Sequence, residues 1–260
     1  LYGEEGFDIL YGGDGDDVLD GGEHSDTLIG GLGDDTYVYR HPGDVDTIDD
    51  AGGNADRLLI GGGLKIADMQ IGYNGSTMDI FFNSQRMIEI LNATTHGAIE
   101  FIDFEDGSRY DVLNDIYTLM GTEEADFLTA SGSENRLFGL DGDDTLEAAS
   151  GVNVFDGGAG DDILRGGVNN DLYVFSQGRD VIEEVPDSLS GADAIFFGGG
   201  FLPEYLDFYR VVDEDASAHD DLIIGDGFGN TVTIRGQFAA NPTSIESFRF
   251  SEDIWLPHTT

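Results

Sequence analysis

Aspartates recur every nine residues near the start of the chain, at a spacing that could assemble a row of metal sites. Three gap-free nonapeptides cover residues 12–38, and a looser copy covers residues 3–11. Each copy has an aspartate at its sixth place and a large apolar residue at its eighth. These are Asp8, Asp17, Asp26 and Asp35, with Leu10, Leu19, Leu28 and Tyr37. Carboxylates and backbone carbonyl groups are the oxygen ligands that a hard cation such as calcium prefers.

The nonapeptide also predicts the elements that must position these aspartates. Three residues around the eighth place are enough for one short strand, in which only the middle side chain points inward. The six remaining residues form a turn rich in glycine, which tolerates positive φ and close backbone approach. Two nonapeptides complete one coil, so turns two repeats apart stack on the same edge of a solenoid. A flexible Gly/Asp linker would have no reason to keep an apolar residue at every eighth place.

The same pattern returns in the second half of the chain. Six gap-free nonapeptides cover residues 121–174, and a seventh copy covers residues 175–183. Their eighth places are Leu128, Leu137, Leu146, Phe155, Leu164, Tyr173 and Ile182. In the first half, Asp46 and Ile48 indicate a degenerate fifth turn after a short insertion. The chain therefore holds two blocks of one repeat.

We predict that the turns of both blocks bind calcium through carboxylates and turn carbonyl groups. In the first block the predicted metal-binding residues are Gly3, Glu5, Asp8, Gly12, Asp14, Asp17, Gly22, Asp26, Gly31, Gly33, Asp35 and Asp46. In the second block they are Gly121, Glu123, Asp126, Gly139, Asp141, Gly142, Asp144, Gly157, Gly158, Gly160, Asp162, Asp171, Gly178 and Asp180.

The two edges of the second block differ in their sixth places. One edge carries Asp126, Asp144, Asp162 and Asp180, and the other carries Asn135, Asn153 and Asp171. An asparagine offers only a neutral oxygen, and fewer carboxylates weaken calcium binding. We expect up to three ions on the first edge. On the other edge we expect none between the two asparagines and at best a weak one between Asn153 and Asp171.

The repeat resembles the GGxGxDxUx nonapeptide of the RTX family, the haemolysin-type calcium-binding proteins that bacteria secrete. Residues 56–63 and 193–200 match more loosely the tail pattern DxLxFGxG that is associated with this family. The resemblance implies a calcium-induced β-roll and export of the unfolded chain by the type I secretion machinery. It also implies a secreted or cell-surface location, where folding on calcium would aid export and stabilise the parent protein.

Composition restricts the partners and fits metal-dependent folding. The formal charge is −42, and such density opposes compaction unless cations neutralise it. Because 40% of the residues are nevertheless hydrophobic, we expect a chain that is disordered without a cation and folded with it. Nucleic acid is excluded by the lack of a basic patch. The chain has no cysteine for a disulfide or thiolate site and no apolar run long enough for membrane insertion.

Strand-like segments separated by turn signals follow each block and predict small antiparallel caps. Residues 56–64 align with 193–201, and residues 98–107 align with 244–253, which indicates an internal duplication. The predicted fold is all-β, with two parallel β-rolls that each end in a cap. The predicted domains are a first roll (1–50), a first cap and linker (51–119), a second roll (120–183) and a second cap (184–260). Residues 111–120 could form a short linking helix, with Val112, Ile116 and Leu119 on one face.

Catalytic motifs are absent from the sequence, so we predict that the chain is not an enzyme. His24 replaces a turn glycine, where histidine tolerates positive φ better than most residues. Two alternatives stay open: an adhesin segment whose caps bind polysaccharide, or the non-catalytic tail of a secreted enzyme. The aromatic residues that could contact a glycan are Tyr73, Tyr205, Tyr209 and Trp255, which we expect to belong to the cap cores. Since Leu1 and Tyr2 fit places eight and nine of an earlier repeat, we expect a piece of a longer protein.

Overall fold

The computed structural model describes residues 1–93, 99–184, 192–198, 203–211, 221–237 and 245–250. These residues form β-strands joined by turns, together with two 3-10 turns at Ile66–Asp68 and Pro203–Tyr205. The chain divides into two compact units, Leu1–Tyr117 and Thr118–Thr260. Within the described part, no helix has the length and apolar character needed to cross a membrane. The predicted all-β fold with two parallel rolls is confirmed.

Eleven complete strands lie in the described residues of the first unit. They are β1 (Ile9–Asp14), β2 (Val18–Asp20), β3 (Thr27–Leu32), β4 (Thr36–Tyr39), β5 (Asp46–Asp49), β6 (Arg57–Ile60), β7 (Met69–Asn74), β8 (Thr77–Phe82), β9 (Gln85–Leu91), β10 (Phe101–Phe104) and β11 (Arg109–Asp111). One sheet has the order β1-β3-β5-β9-β8-β7, and the other runs β2-β4-β6-β10-β11. Strands β1 to β6 alternate between the two sheets, as expected when two nonapeptides make one coil.

Strand β12 (Ile116–Met120) spans the boundary, and the second unit repeats the design of the first. Its strands are β13 (Phe127–Ala130), β14 (Glu134–Phe138), β15 (Thr145–Ala148), β16 (Val152–Asp156), β17 (Ile163–Arg165), β18 (Asp171–Val174), β19 (Arg179–Glu183), β20 (Ala194–Phe197), β21 (Asp207–Val211), β22 (Asp221–Gly225), β23 (Thr231–Ile234) and β24 (Ser247–Phe250). One sheet has the order β13-β15-β17-β19-β23-β22-β21, and the other continues from β14 through β16, β18 and β20 to β24.

The two caps share one strand order, which confirms the internal duplication. In the first unit β9 joins β5 in parallel, and β8 and β7 follow as antiparallel neighbours. In the second unit β23 joins β19 in parallel, and β22 and β21 follow in the same way. On the other sheets, β10 pairs with β6 and β24 pairs with β20, both in parallel. The caps are thus only partly antiparallel, because their first strands extend the roll sheets directly.

The eighth places stack along the inside of each roll. Leu28 pairs with Leu10 on one side and Ile48 on the other, and Leu146 pairs in the same way with Leu128 and Leu164. From Leu19 to Ile48 and from Leu137 to Ile182, every eighth-place side chain is buried. Burial of a side chain of this size stabilises the folded state by about 1.5–3 kcal/mol. This apolar column fixes the register that aligns the turns.

Two expectations from the sequence are wrong. Residues 111–120 form a turn and strand β12 rather than a helix, because Asp111 accepts hydrogen bonds from the backbone and side-chain nitrogens of Asn114, and Asp115 adopts φ 55°. The cap tyrosines are also not core residues: Tyr73, Tyr205 and Tyr209 are more than half exposed. Trp255 lies outside the described residues.

Candidate metal sites

The sixth-place aspartates form rows in which each carboxylate is tied to the turn two repeats before it. In the first roll, the backbone N–H of Asp8 donates to Asp26 Oδ1 at 2.8 Å, and that of Asp17 donates to Asp35 Oδ1 at 2.8 Å. The N–H of Asp26 donates to Asp46 Oδ1 at 3.0 Å, across the predicted insertion. The structure therefore brings together every stacked pair that the first block predicts.

The same ladder runs along the all-aspartate edge of the second roll. The backbone N–H groups of Asp126, Asp144 and Asp162 donate to the Oδ1 atoms of the next carboxylates at 2.7, 2.9 and 3.2 Å. Successive carboxylates thus stand one coil apart, and two of them belong to each pair of stacked turns. Their role as metal ligands stays a prediction.

The second oxygen of these carboxylates supports a cation in the turns. The Oδ2 atoms of Asp8, Asp26 and Asp35 in the first roll and of Asp144 and Asp162 in the second are buried without a hydrogen-bond partner. A buried oxygen of an ionised carboxylate without a partner costs several kcal/mol, so such atoms normally pair or coordinate metal. At the two ends of the second row, hydroxyl groups fill this place: Thr122 Oγ1 donates to Asp126, and Ser176 Oγ donates to Asp180.

Where a turn opens with glycine, that glycine leaves room for this oxygen. A β-carbon on Gly139 would overlap both Asp144 Oδ2 and the carbonyl oxygen of Gly157. A β-carbon on Gly157 would likewise overlap Asp162 Oδ2. Gly121 and Gly12 stand in the same position over Asp126 and Asp17. The turn therefore places the carboxylate oxygen and the stacked carbonyl oxygen against bare backbone, where a cation could reach both.

Other turn residues set the backbone conformation. The fourth place has positive φ in Gly15, Gly33, Gly142, Gly160 and Gly178. The prediction for His24 is confirmed, because this residue occupies a fourth place with φ 81°. Non-glycine residues in this region are uncommon, so the turn holds its shape against a local conformational cost.

Burial raises the pKa of the row carboxyl groups, because a charge in a desolvated turn is unfavourable. It raises the pKa of Asp162 to about 6 and those of Asp46 and Asp180 to about 7. Backbone N–H donors oppose this shift, and the neighbouring carboxylates in the row add to it. The pKa values of Asp26 and Asp144 are raised for the same first reason. Without a cation, the row therefore favours protonation.

On the opposite edge of the second roll, side-chain amide groups join the stacked turns. Asn135 Nδ2 donates to Asn153 Oδ1 at 2.6 Å, and Asn153 Nδ2 donates to Asp171 Oδ1 at 2.7 Å. The two asparagines are fully buried. An amide N–H thus supplies the positive partner that each stacked oxygen needs. This geometry supports the predicted asymmetry between the two edges.

The predicted third-place acids do not join the rows. The side chains of Glu5, Asp14, Glu123 and Asp141 are exposed to solvent. A second, unpredicted ladder lies at the fifth place instead: Asp16 Oδ1 accepts the N–H of Asp34, and Asp143 Oδ1 accepts the N–H of Asp161, both at 2.9 Å. These fifth-place carboxylates tie the outer faces of the turns together. The Asp-Asp doublets in the sequence were the signal that could have revealed them.

The rows also continue into the caps, beyond the predicted residues. Asp35 N–H donates to Asp56 Oδ1 at 2.7 Å, and Asp56 N–H donates to Glu100 Oε2 at 2.7 Å. In the second unit, Asp171 N–H donates to Asp193 Oδ1 and Asp193 N–H donates to Glu246 Oε2, both at 2.8 Å. The aligned segments 56–64 and 193–201 contain the first of these acids, so the duplication was a signal for them.

The donor set fits calcium. Its carboxylates are partly or fully buried, with one oxygen hydrogen-bonded to the backbone and the other close to a carbonyl oxygen beside glycine. When bound, the ion would supply the positive charge that the stacked carboxylates lack. The residues positioned to hold it are the sixth-place aspartates and the carbonyl groups of the first turn residues.

Comparison with known proteins agrees with this geometry. The family described as the RTX calcium-binding nonapeptide repeat (4 copies) matches residues 2–37, 118–146 and 147–182. No curated protein matches the chain. Among solved structures, the extracellular lipase LipA from Serratia marcescens is similar at 20% identity and a TM-score of 0.35, over 94% of this chain and 40% of the lipase chain. The chain thus spans less than half the length of that lipase. Both repeat blocks thus match the RTX calcium-binding nonapeptide repeat.

Proposed function

We propose that this chain is a module that folds when calcium binds its turns, within a bacterial protein that acts outside the cell. The observation that carries the proposal is the row of buried, partnerless Oδ2 atoms on the sixth-place aspartates. Partnerless oxygens of this kind favour either protonation or a bound cation, and at neutral pH calcium is the stronger competitor when its concentration is high.

The rows make calcium binding cooperative in this account. Asp144 Oδ1 accepts the backbone N–H of Asp126, and the backbone N–H of Asp144 donates to Asp162 Oδ1. An ion on one side therefore orders a carboxylate that also bounds the next site. Because ion binding and turn formation occur together, the binding free energy contributes directly to folding.

The coupling between calcium binding and folding suits a protein that is secreted unfolded. Extracellular calcium modules bind with Kd values of about 10⁻⁴–10⁻³ M, so they are empty in a calcium-poor cytosol and filled outside. The charge of −42 would keep the empty chain extended, as export through a type I channel requires. Folding outside would then help to pull the chain through and stabilise the segments joined to it. We propose that the module itself is non-catalytic.

The test is far-UV circular dichroism of the chain in chelator, in magnesium and in calcium. We expect mostly disordered signal in chelator and a cooperative gain of β signal at millimolar calcium. Magnesium should not reproduce this gain, because it demands a tight octahedral shell and loses its water reluctantly. A chain that is fully folded in chelator would contradict the proposal.

A second function, glycan binding by the caps, is favoured by the exposed tyrosines. Tyr205 and Tyr209 lie close in sequence in the second cap, and Tyr73 is exposed in the first cap. Exposed aromatic rings that are not needed in a core are suited to stacking on sugar rings. A glycan array probed with the calcium-loaded chain tests this function, with a Tyr205→Ala/Tyr209→Ala variant as the control. Equal signals from both proteins would exclude these residues.

A further inference from the structure

The end of each roll carries a carboxylate cluster that differs from the repeating turns. In the first unit it consists of Asp35, Asp50 and Asp56, and in the second unit of Asp171, Glu184 and Asp193. In each cluster, one oxygen from every residue lies within 4.8 Å of the others. Calcium–oxygen bonds are about 2.3–2.6 Å long, so oxygens on opposite sides of one ion lie about 5 Å apart. Each cluster thus has the width of a single calcium site.

The third carboxylate comes from outside the nonapeptides. Asp50 follows strand β5 directly, and Glu184 follows strand β19. Neither residue occupies a sixth place, and neither was predicted as a ligand from the repeat pattern. Each joins a pair of stacked row carboxylates, Asp35 with Asp56 and Asp171 with Asp193.

In the first cluster, one oxygen of each carboxylate is buried and lacks a partner. Asp35 and Asp56 are 0% exposed, and Asp50 is 5% exposed. The Oδ2 atoms of all three are buried without a hydrogen-bond partner, as is Glu184 Oε2 in the second cluster. The three carboxylates of the first cluster, each with such an oxygen, are unfavourable side by side unless protons or a cation neutralise them.

A tyrosine hydroxyl orients the third carboxylate in both units. Tyr37 donates to Asp50 Oδ1 at 2.8 Å, and Tyr173 donates to Glu184 Oε1. Each hydroxyl binds one carboxylate oxygen and leaves the other for the cluster. Tyr37 and Tyr173 occupy eighth places, which are leucine, isoleucine or phenylalanine in the other repeats. A β-carbon on Gly30 or Gly166 would overlap the hydroxyl, so the first glycine of this turn also serves the cluster.

We propose that each roll ends in a cation site with three side-chain carboxylates, Asp35–Asp50–Asp56 and Asp171–Glu184–Asp193, and that these sites bind calcium more tightly than the two-carboxylate turns. This inference rests on the proposed function, because it assumes that the turns take up calcium. Its separate content is the third carboxylate and the tyrosine that holds it. A higher count of carboxylates raises calcium affinity. The two sites would therefore fill first and join each roll to its cap.

The test compares calcium binding by the full chain and by Asp50→Asn, Glu184→Gln and the double variant, using equilibrium dialysis and titration calorimetry. The amides keep an acceptor for the tyrosine hydroxyl and remove only the charge. We expect each single variant to lose one high-affinity ion or to bind it about tenfold or more weakly. The double variant should lose two. Asp49→Asn removes the same charge one residue away, from a side chain outside the cluster, and should bind the full number.

Variants that retain the charge guard against a loss of folding. The third carboxylate is an aspartate in the first cluster and a glutamate in the second. Asp50→Glu and Glu184→Asp exchange these two residue types and should keep the full number of tight ions. Terbium bound in the clusters should emit when tyrosine is excited, and Tyr37→Phe/Tyr173→Phe should lose most of this emission. The hydroxyl of Tyr39 donates to the Asp44 carbonyl group instead, so Tyr39→Phe should retain the terbium emission.

Two results would overturn the inference while leaving the proposed function intact. One is a double variant that binds calcium with unchanged number and affinity. The other is terbium emission that survives in the Tyr37→Phe/Tyr173→Phe variant. A wild-type chain that binds no calcium at all would instead refute the proposed function.

Discussion

Asp144→Asn tests most sharply how the rows work, because this residue bounds two predicted sites. Its Oδ1 accepts the backbone N–H of Asp126, its own N–H donates to Asp162 Oδ1, and its Oδ2 is buried without a partner. An asparagine has nearly the same shape and already occupies the equivalent place on the opposite edge, at Asn153. The substitution therefore removes one charge and leaves the turn geometry in place.

The expected magnitude follows from binding linkage. With Kd values of about 10⁻⁴–10⁻³ M and calcium at about 10 mM, each filled site stabilises the folded chain by about 1.4–2.7 kcal/mol. Between a tenfold weakening and a full loss of two sites, the decrease in calcium-dependent stabilisation is about 2–5 kcal/mol. The calcium-independent part of the stability should be unchanged in Asp144→Asn, because the amide can donate to Asp162 as Asn153 does to Asp171.

The assay is urea unfolding followed by circular dichroism at several calcium concentrations. Asn135→Ala serves as the control, since it removes three hydrogen bonds: one to Asn153, one from the Gly132 N–H and one to the Gly132 carbonyl oxygen. Each such bond contributes about 1 kcal/mol, independent of calcium. The reasoning is refuted if Asp144→Asn shows the same calcium dependence as the wild type, or if Asn135→Ala changes it as strongly.

Three further perturbations probe the pH dependence, the turn and the core. The raised pKa values of Asp46 and Asp180 mean that, without calcium, the folded chain binds more protons than the unfolded chain between about pH 4 and 7. Calcium-free stability should therefore fall as pH rises through this window, while calcium affinity should rise, and titrations at pH 5, 6 and 8 would show the opposite trends. Gly139→Ala should lower calcium affinity, because its methyl group overlaps Asp144 Oδ2, whereas Gly225→Ala meets only ordinary contacts and should leave calorimetric titrations unchanged. Leu146→Ala should destabilise the second roll by about 2–5 kcal/mol; the calcium midpoint of folding should rise without a change in the number of ions bound, which dialysis would check.

Much of the fold could be predicted from the sequence, because each nonapeptide contains the residues that form its own turn, strand and core position. The eighth-place side chain has one inward position in a short strand, so a period of nine specifies both the core and the stacking of the turns. Leu28 and Leu146 occupy the predicted places in the core. The asymmetry of the second roll followed from single residues, since Asn135 and Asn153 cannot supply the charge that an aspartate does.

The roll ends were less accessible, because their residues come from different parts of the chain. Glu100 accepts a hydrogen bond from Asp56, 44 positions away in the sequence. Asp50 joins its cluster from the end of strand β5, which follows the degenerate fifth turn. No local period connects these residues. The tyrosines at two eighth places, Tyr37 and Tyr173, were a usable signal, since a hydroxyl in an apolar column needs a buried acceptor.

The predicted helix at 111–120 failed for a local reason. Its apolar residues have helical spacing, but Asn114 and Asp115 favour a turn through side-chain hydrogen bonds and positive φ. The predicted burial of the cap tyrosines failed because their position depends on tertiary packing. An aromatic residue between apolar neighbours does not reveal which face of a strand is covered. Strand β21 is exposed along its whole length.

A calcium-loaded crystal, with the ions located by anomalous scattering, tests the central claim most directly. We predict peaks between Asp126 and Asp144, between Asp144 and Asp162, and between Asp162 and Asp180. We predict no peak between Asn135 and Asn153, whose amides already join those turns. Equal peaks on both edges of the second roll, or ions held only by the exposed third-place acids, would contradict the account.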